Sequence, residues 1–339
     1  MKKGLREFFA EPGNWAELCA IYAAAALLML IGSEWYILAI YAAVCLAVWL
    51  YLGSKGRAAS IHDFAALRRA LKKAAGSGDA MRLYRLLDEE LLPDLRGRMP
   101  KRLYKYFYLG SDRARSARNL DTVGSGRLWS SVPGGYNDPF ECRYTYLTEK
   151  ELDGMGFPPG SKALWDRVMD IVRRHITAVC FTQNPNDMPM WAYYANEHRG
   201  FCVEYEVVSA EHLYPVFYAR ERLAAQALFI NALNSFFNPA APEADIGLIL
   251  RHMMLLSAFK DESWRSENEI RAIFLNSSGG MGPKGRAVGC AEAGLLPVKL
   301  YIGVYCAPGD EKALEDMAGA LGIACEKCTL SEDSFSVLK

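Results

Sequence analysis

Three charged residues alternate along one short stretch of the chain, Glu267-Asn-Glu269-Ile-Arg271. Side chains two residues apart share a face of a β-strand, so these three should project together, opposite a core side formed by Ile270, Ala272 and Phe274. A carboxylate placed there can stabilise positive charge in a transition state, and the arginine keeps it ionised. We therefore predict Glu269 as the central catalytic carboxylate and Glu267 as a second one. The alternative is a solvated strand face with a local ion pair.

A second polar stretch is the loop Asn137-Asp-Pro-Phe-Glu141, which follows a Pro-Gly-Gly turn and a short strand that includes Ser130. Loops this dense in special residues are often built for a function. We predict that Ser130 is catalytic and that Asn137 and Asp138 bind ligand, or instead lock the loop. The loop should lie beside the strand Glu267 to Phe274, with Phe140 buried.

Aromatic residues supply the remaining candidates for ligand binding. Trp191 and Tyr194 share one face of a helix predicted from Met190 to His198, which Gly200 would end in the left-handed conformation. Trp264 precedes the charged strand, and Arg271 lies within it. Core packing is the alternative for Trp191, Tyr194 and Trp264.

Composition narrows the function classes. The chain has 339 residues and a formal net charge of +0, so no overall field favours nucleic acid, and we predict no specific nucleic-acid partner. The 9 cysteines are scattered, which is typical of reduced thiols in a cytoplasmic setting. Cys325-Glu-Lys-Cys328 has metal-ligand spacing, but no second pair or histidine follows, and we predict no metal.

The N-terminal part predicts a membrane anchor. Residues 15–31 and 35–52 are apolar runs of nearly spanning length, joined by Gly32-Ser-Glu34 and flanked by lysines and arginines. The expected arrangement is a cytoplasmic N-terminus at 1–14 and a transmembrane helical hairpin at 15–52, with both ends cytoplasmic. Membrane lipid would be its partner, and the protein would be multi-pass in the inner membrane. A signal peptide or a buried core hairpin are the alternatives.

The rest of the chain predicts a folded domain. We expect residues 53–98 to form a basic helical juxtamembrane linker that touches anionic headgroups or, alternatively, a solvated pair of connector helices. Residues 99–339 should form a cytoplasmic α+β domain with a mixed sheet. Predicted strands include Leu103 to Tyr108, Ile176 to Thr182, Phe201 to Val207 and Val298 to Cys306. Predicted helices include Lys162 to His175, Asp245 to Phe259 and Lys312 to Leu321.

Several of these motifs resemble, in the same order, the family called domain of unknown function 2971, over residues of about 103 to 304. The motifs are Leu103-Tyr-Lys-Tyr-Phe107, Leu128-Trp-Ser130, Asn137-Asp-Pro-Phe-Glu141, Cys180-Phe-Thr182, Met190-Trp191 with Tyr194 and Gly200, and Trp264 with Glu267, Glu269 and Arg271. The resemblance implies a domain assignment and no particular reaction.

The chain is also distantly similar to the ADP-ribosyltransferase fold. That fold has a basic or histidine residue on a first strand, a hydroxyl on a second and Glu-x-Glu at the start of a late strand. Lys105 or Tyr106, Ser130 and Glu267-Asn-Glu269 fall in that order, with a lysine where arginine or histidine is usual. The similarity implies NAD as the nucleotide, with Lys105 and Tyr106 binding it.

Two functional hypotheses follow. In the first, the protein is a membrane-tethered bacterial transferase or glycohydrolase that uses NAD or a related nucleotide, as an effector in stress or phage defence. In the second, it is a non-catalytic ligand-binding or protein-interaction sensor. A deep cleft ringed by Glu269, Ser130, Tyr106 and Trp191 would favour the first hypothesis. The same residues packed shut, with satisfied ion pairs, would favour the second.

Overall fold

The computed structural model describes residues 62, 85–132, 135–141, 145–146, 148–154, 156–220, 223–224, 254–255, 257–275, 284–334 and 336–337. The chain divides into two compact units, Met1–Ser60 and Ile61–Lys339, and every described residue belongs to the second. The predicted boundary at residue 99 stays a prediction. Four leucines that precede this boundary are buried: Leu87, Leu91, Leu92 and Leu95.

The expected membrane hairpin over residues 15–52 lies outside the described residues. Across the described ranges, no helix has both the length and the apolar character needed to cross a bilayer. The longest described helix has 15 residues, whereas a span takes about 20 apolar residues. The predictions of a transmembrane hairpin and of a multi-pass inner-membrane protein are therefore corrected, and the mixed α+β part of the fold prediction remains.

Within the described residues the strands are β1 Arg102–Phe107, β2 Arg127–Ser131, β3 Thr145–Tyr146, β4 Ile176–Thr182, β5 Phe201–Val207, β6 Leu213–Pro215, β7 Phe217–Ala219, β8 Leu223–Ala224, β9 Phe259–Asp261, β10 Glu269–Leu275, β11 Gly285–Gly289, β12 Leu295–Ile302 and β13 Ala324–Lys327. The α-helices are α1 Leu92–Gly97, α2 Arg113–Gly124, α3 Glu149–Gly154, α4 Ser161–His175, α5 Met188–Tyr194 and α6 Pro308–Leu321. A π-helical turn, Leu86–Leu91, precedes α1, and a 3-10 helix, Glu262–Glu267, precedes β10.

One mixed sheet organises these elements, in the order β11-β2-β4-β1-β5-β12-β13, with β10 paired to β4 and β6 paired to β10. All its neighbours are antiparallel except β12 and β13. The apolar, β-branched sequence of β4 suits its place inside the sheet, where it is covered on both faces. The predicted mixed sheet is therefore observed.

The sheet splits along one edge of β4. β10 pairs with β4 along its whole length, from Glu269 beside Thr182 to Leu275 beside Ile176. On the opposite edge, β2 pairs only at Ala178 and β1 only at Thr182. The two branches of the sheet therefore diverge around Cys180 and leave an opening between β1 and β2.

Most predicted elements have the right type, and two differ instructively. The predicted helix Asp245 to Phe259 is described only in part, and its end, Phe259, begins strand β9 instead. The predicted helix Met190 to His198 is observed as Met188–Tyr194, because Asn196, Glu197 and His198 all take positive φ angles.

Gly200 has a different role from the predicted helix stop. A side chain there would lie 2.1 Å from the backbone oxygen of Phe107. Glycine is needed at this position because strand β1 passes so close to the backbone.

Candidate functional site

A cavity of about 390 Å³ opens at the split in the sheet. Residues from β1, β2, β4 and β10 line it, together with the loop 135–141 and helix α5. Side chains cap the exposed carbonyls of β4 here: Lys105 Nζ donates to Cys180 O at 3.1 Å, and Tyr136 Oη donates to Ala178 O at 2.8 Å. The bond to Cys180 O takes the place of strand pairing where β1 and β2 diverge, and the bond to Ala178 O lies beside the single pairing with β2.

Arg271 is at the centre of the charged residues behind this cavity, and its side chain is 1% exposed. Its guanidinium donates to both oxygens of Glu141, at 2.6 and 2.8 Å, and to both oxygens of Glu269, at 2.7 and 3.1 Å. A fifth bond, from Nη1, reaches Ser257 O at 3.0 Å. A guanidinium has five N–H donors, so this buried cation is fully hydrogen bonded.

Lys260 connects Glu269 to Glu267. Its ammonium donates to Glu267 Oε2 at 2.5 Å and to Glu269 Oε2 at 3.2 Å, and it lies 4.6 Å from the centre of the Trp264 ring. Tyr194 Oη donates to the other oxygen of Glu267 at 2.7 Å. The network, Glu141, Arg271, Glu269, Lys260 and Glu267, contains three carboxylates and two cations, so with all groups ionised it carries one net negative charge.

The backbone at Asn268 brings the two carboxylates together. Asn268 ends the 3-10 helix in the left-handed conformation, with φ 45° and ψ 48°, and strand β10 starts at the next residue. Asparagine adopts this conformation more readily than most residues. Glu267 and Glu269 can therefore meet at Lys260 although they belong to different elements.

The surroundings of Glu269 keep it ionised. Burial alone would raise the pKa of this carboxyl, but the positive charges of Arg271 and Lys260 outweigh burial and lower the pKa to about 2. For Glu141, burial raises the pKa in spite of Arg271. Glu269 is therefore a fixed negative charge at neutral pH and a poor proton acceptor, which suits it to stabilising a cation.

The loop Asn137–Glu141 lies beside β10 as predicted, but a different residue attaches it. Phe140 is 57% exposed, so its predicted burial is wrong. Glu141 makes the attachment through its two bonds to Arg271. Asp138 is buried and accepts from the Phe140 backbone N–H at 2.8 Å, a bond that matches the alternative in which it locks the loop.

The predicted ligand-binding residues separate into two groups. Lys105, Tyr106, Asn137, Asp138 and Tyr194 line the cavity together with Glu267 and Glu269. Arg271 lies behind Glu269, and neither Trp191 nor Trp264 is among the lining residues. Trp191 is fully buried, packs edge-on against Tyr106 and donates to Pro185 O at 3.0 Å. Its surroundings match the core-packing alternative.

Ser130 lies on the opposite face of β2 from the cavity. It is buried like Leu128, whereas Trp129 and Ser131, the residues on either side of it, line the cavity. Its hydroxyl oxygen has no hydrogen-bond partner among the described residues. Ser131 is thus the hydroxyl residue of this strand that faces the cavity.

The sequence predictions missed several cavity residues. Trp129 and Tyr193 line the opening and are 46% and 81% exposed. Arg115 lines it from helix α2, with its guanidinium 4.4 Å from the centre of the Tyr108 ring. The period-two alternation of β2 could have revealed Trp129, because the burial of Leu128 places Trp129 outside. Neither sequence periodicity nor a motif marks Arg115.

One family model matches a segment of the chain that includes part of this candidate site. The model of the family described as Protein of unknown function (DUF2971) matches residues 190–272, which include Tyr194, Glu267, Glu269 and Arg271. Neither the curated proteins nor the solved structures contain a significant match to the chain. The similarity to the ADP-ribosyltransferase fold stays a prediction. The match over residues 190–272 supports the resemblance to the DUF2971 family that the sequence motifs indicated.

Proposed function

We propose that the protein is a transferase or glycohydrolase that cleaves the bond between nicotinamide and ribose in NAD or a related nucleotide. The observation that carries this proposal is the ionised Glu269 carboxylate at the wall of a cavity. When that glycosidic bond breaks, nicotinamide leaves with the bonding electrons and positive charge develops on the ribose. A fixed, partly desolvated carboxylate stabilises such charge more than water does.

Cavity size and lining support a nucleotide of this kind. A volume of about 390 Å³ falls at the lower end of the range for small-molecule sites. It is large enough for one ring and its ribose, and Trp129 and Tyr193 at the opening offer stacking surfaces for a second ring. Glu267, held by Lys260 and Tyr194, has the role of orienting the acceptor hydroxyl or water.

The test uses the full-length chain incubated with NAD, with released nicotinamide followed by chromatography. Glu269→Gln keeps the shape and removes the charge, so release should fall by about 100-fold or more. Glu267→Gln should reduce it less. Glu197→Gln, which changes an exposed carboxylate in a surface ion pair, is the matched control and should leave release unchanged. Full activity of the Glu269→Gln protein would remove Glu269 from the mechanism.

A non-catalytic ligand-binding module is the second candidate. The observation in its favour is that both oxygens of Glu267 and of Glu269 already accept hydrogen bonds from protein donors. Under this alternative, NAD or ADP would raise the unfolding temperature of the full-length chain while no nicotinamide appears.

A further inference from the structure

The cavity contains charges of both signs, but only some are neutralised by the protein. The carboxylates of Glu141, Glu267 and Glu269 all bond to Lys260 or Arg271, and that of Asp138 accepts from the Phe140 backbone N–H. Two further cations, Lys105 and Arg115, line the same cavity, and neither has a carboxylate within salt-bridge distance among the described residues. The hydrogen-bond donors left unused in the charged lining, among the described residues, therefore belong to Lys105 and Arg115.

Arg115 is held in place without using its donors. Its guanidinium lies over the Tyr108 ring, and that ring is fixed because Tyr108 Oη accepts from the Asp112 backbone N–H at 3.1 Å. A guanidinium stacks through its flat face, so its N–H groups, which lie in the plane, remain able to donate hydrogen bonds. Within the described ranges, no acceptor bonds to these N–H groups, so they are ready for an external acceptor.

Lys105 is the second cation, and it reaches the cavity from strand β1. Its ammonium donates to Cys180 O at 3.1 Å and lies 5.6 and 5.8 Å from the ring centres of Phe107 and Phe181. An ammonium has three donors, and Cys180 O is its one hydrogen-bond acceptor among the described residues. Burial lowers the pKa of Lys105, a cost that a bound anion would offset.

We propose that Arg115 and Lys105 form an anion subsite that binds the phosphate groups of the ligand. Guanidinium and ammonium groups together supply several donors, which suits the oxygens of a phosphate or diphosphate better than a single carboxylate. The exposed Trp129 and Tyr193 at the same cavity suit an attached base. The ligand class is therefore a nucleoside diphosphate or its derivative. This inference rests on the proposed function, which identifies the rest of the ligand as nicotinamide and its ribose.

The experiment compares ADP with adenosine, which differ in the phosphates alone, by titration calorimetry on the full-length chain. ADP should bind at least tenfold more tightly than adenosine. Arg115→Gln should weaken ADP binding about tenfold or more and leave adenosine binding and the unfolding temperature unchanged. Arg118→Gln removes an exposed arginine of the same helix that does not line the cavity, and it should change neither.

Lys105→Gln provides a second variant on a different strand, and it too should weaken ADP more than adenosine. Equal affinities for ADP and adenosine in the unaltered chain, or equal losses from Arg115→Gln and Arg118→Gln, would overturn the subsite. If ADP binds through Arg115 but NAD is not cleaved, the anion subsite stands and the proposed reaction falls. If NAD is cleaved but pyrophosphate does not inhibit and Arg115→Gln has no effect, the reaction stands and the subsite falls.

Discussion

On the β10 side of the cavity, charged groups bond to one another and are shielded from water. On the side formed by β2, α2 and the end of α5, Trp129, Tyr193 and Arg115 point into the opening and meet solvent. The first side is a network in which each member depends on the next. The second is a set of exposed side chains that take no part in the buried charge network, so each can be changed alone.

This difference indicates that the two sides of the cavity have different roles. Buried, interdependent charges fix the position and ionisation of Glu269, and the cost of desolvating them has to be offset within the network. Exposed aromatic and cationic groups lose their hydration only when a ligand arrives. The β10 side should therefore control folding and the electrostatics of the site, whereas the opposite side should control affinity.

The largest effect should come from Arg271→Met, which leaves Glu141 and Glu269 buried without their shared cation. Breaking such a pair costs about 3–5 kcal/mol of unfolding free energy. Urea denaturation of the full-length chain measures it. Arg113→Met, which breaks an exposed pair with Asp310, is the control and should cost under about 1 kcal/mol. Similar losses in the two variants would contradict the network's structural role.

Glu269→Gln should cost less, about 2 kcal/mol at neutral pH, because Glu141 still neutralises Arg271 and the amide keeps one acceptor oxygen. This cost should depend on pH. Glutamate has a pKa of about 4.3 in an unfolded chain, and that of Glu269 is lowered to about 2 in the folded protein. The stability that its charge provides is complete above the unfolded value and disappears as pH falls through the folded one.

The stability difference between the unaltered chain and Glu269→Gln should therefore narrow between about pH 4.3 and about pH 2. Thermal unfolding of both proteins across this range provides the measurement. A difference that stays constant with pH would mean that packing, and not charge, accounts for the loss.

Tyr193→Ala tests the other side. The side chain is 81% exposed, so unfolding free energy should change by less than about 0.5 kcal/mol. Loss of one stacking surface should weaken ADP binding about tenfold. Tyr305→Ala, which removes a tyrosine that is 56% exposed and does not line the cavity, should leave binding unchanged. If Tyr193→Ala instead unfolds the protein, this side of the cavity also controls stability, and the proposed difference between the two sides is wrong.

The smallest effect is expected at Phe140. Had this ring been buried, its removal would have cost about 3–5 kcal/mol. Since the ring is largely exposed, Phe140→Ala should cost less than about 0.5 kcal/mol in the same denaturation measurement. A loss of several kcal/mol would show that the ring packs in solution.

Local pattern was sufficient to predict the strands that carry the site. Ile176–Thr182 and Phe201–Val207 have the predicted bounds, because continuous apolar sequence and strict alternation are strong signals. The helix after Pro189 was predicted too long, since nothing in its periodicity shows that Asn196 to His198 reverse the chain. The reversed segment packs against the residues that follow β12, where a side chain at Gly303 would lie 2.2 Å from His198 O and the Tyr305 N–H donates to His198 O at 3.0 Å.

For the site, the sequence predicted the carboxylates but misjudged what surrounds them. Alternation placed Glu269 and Arg271 on one face, but a single strand cannot reveal that the loop ending at Glu141 covers that face. Ser130 was chosen by type, whereas the pleat of β2 presents Ser131 to the cavity. Arg115 comes from helix α2 and Lys260 from strand β9, which lies outside the main sheet, and no local sequence pattern shows that both reach the cavity.

The split in the sheet has a consequence for solvent exchange. In an antiparallel strand the N–H and C=O of one residue point to the same side. The Cys180 carbonyl points into the split, so its amide does too, in the middle of the largest sheet. That amide should exchange its hydrogen with deuterated water faster than the amides of Val179 and Phe181, which face β10. Bound ligand would slow it, so a single backbone position can report occupancy of the cavity.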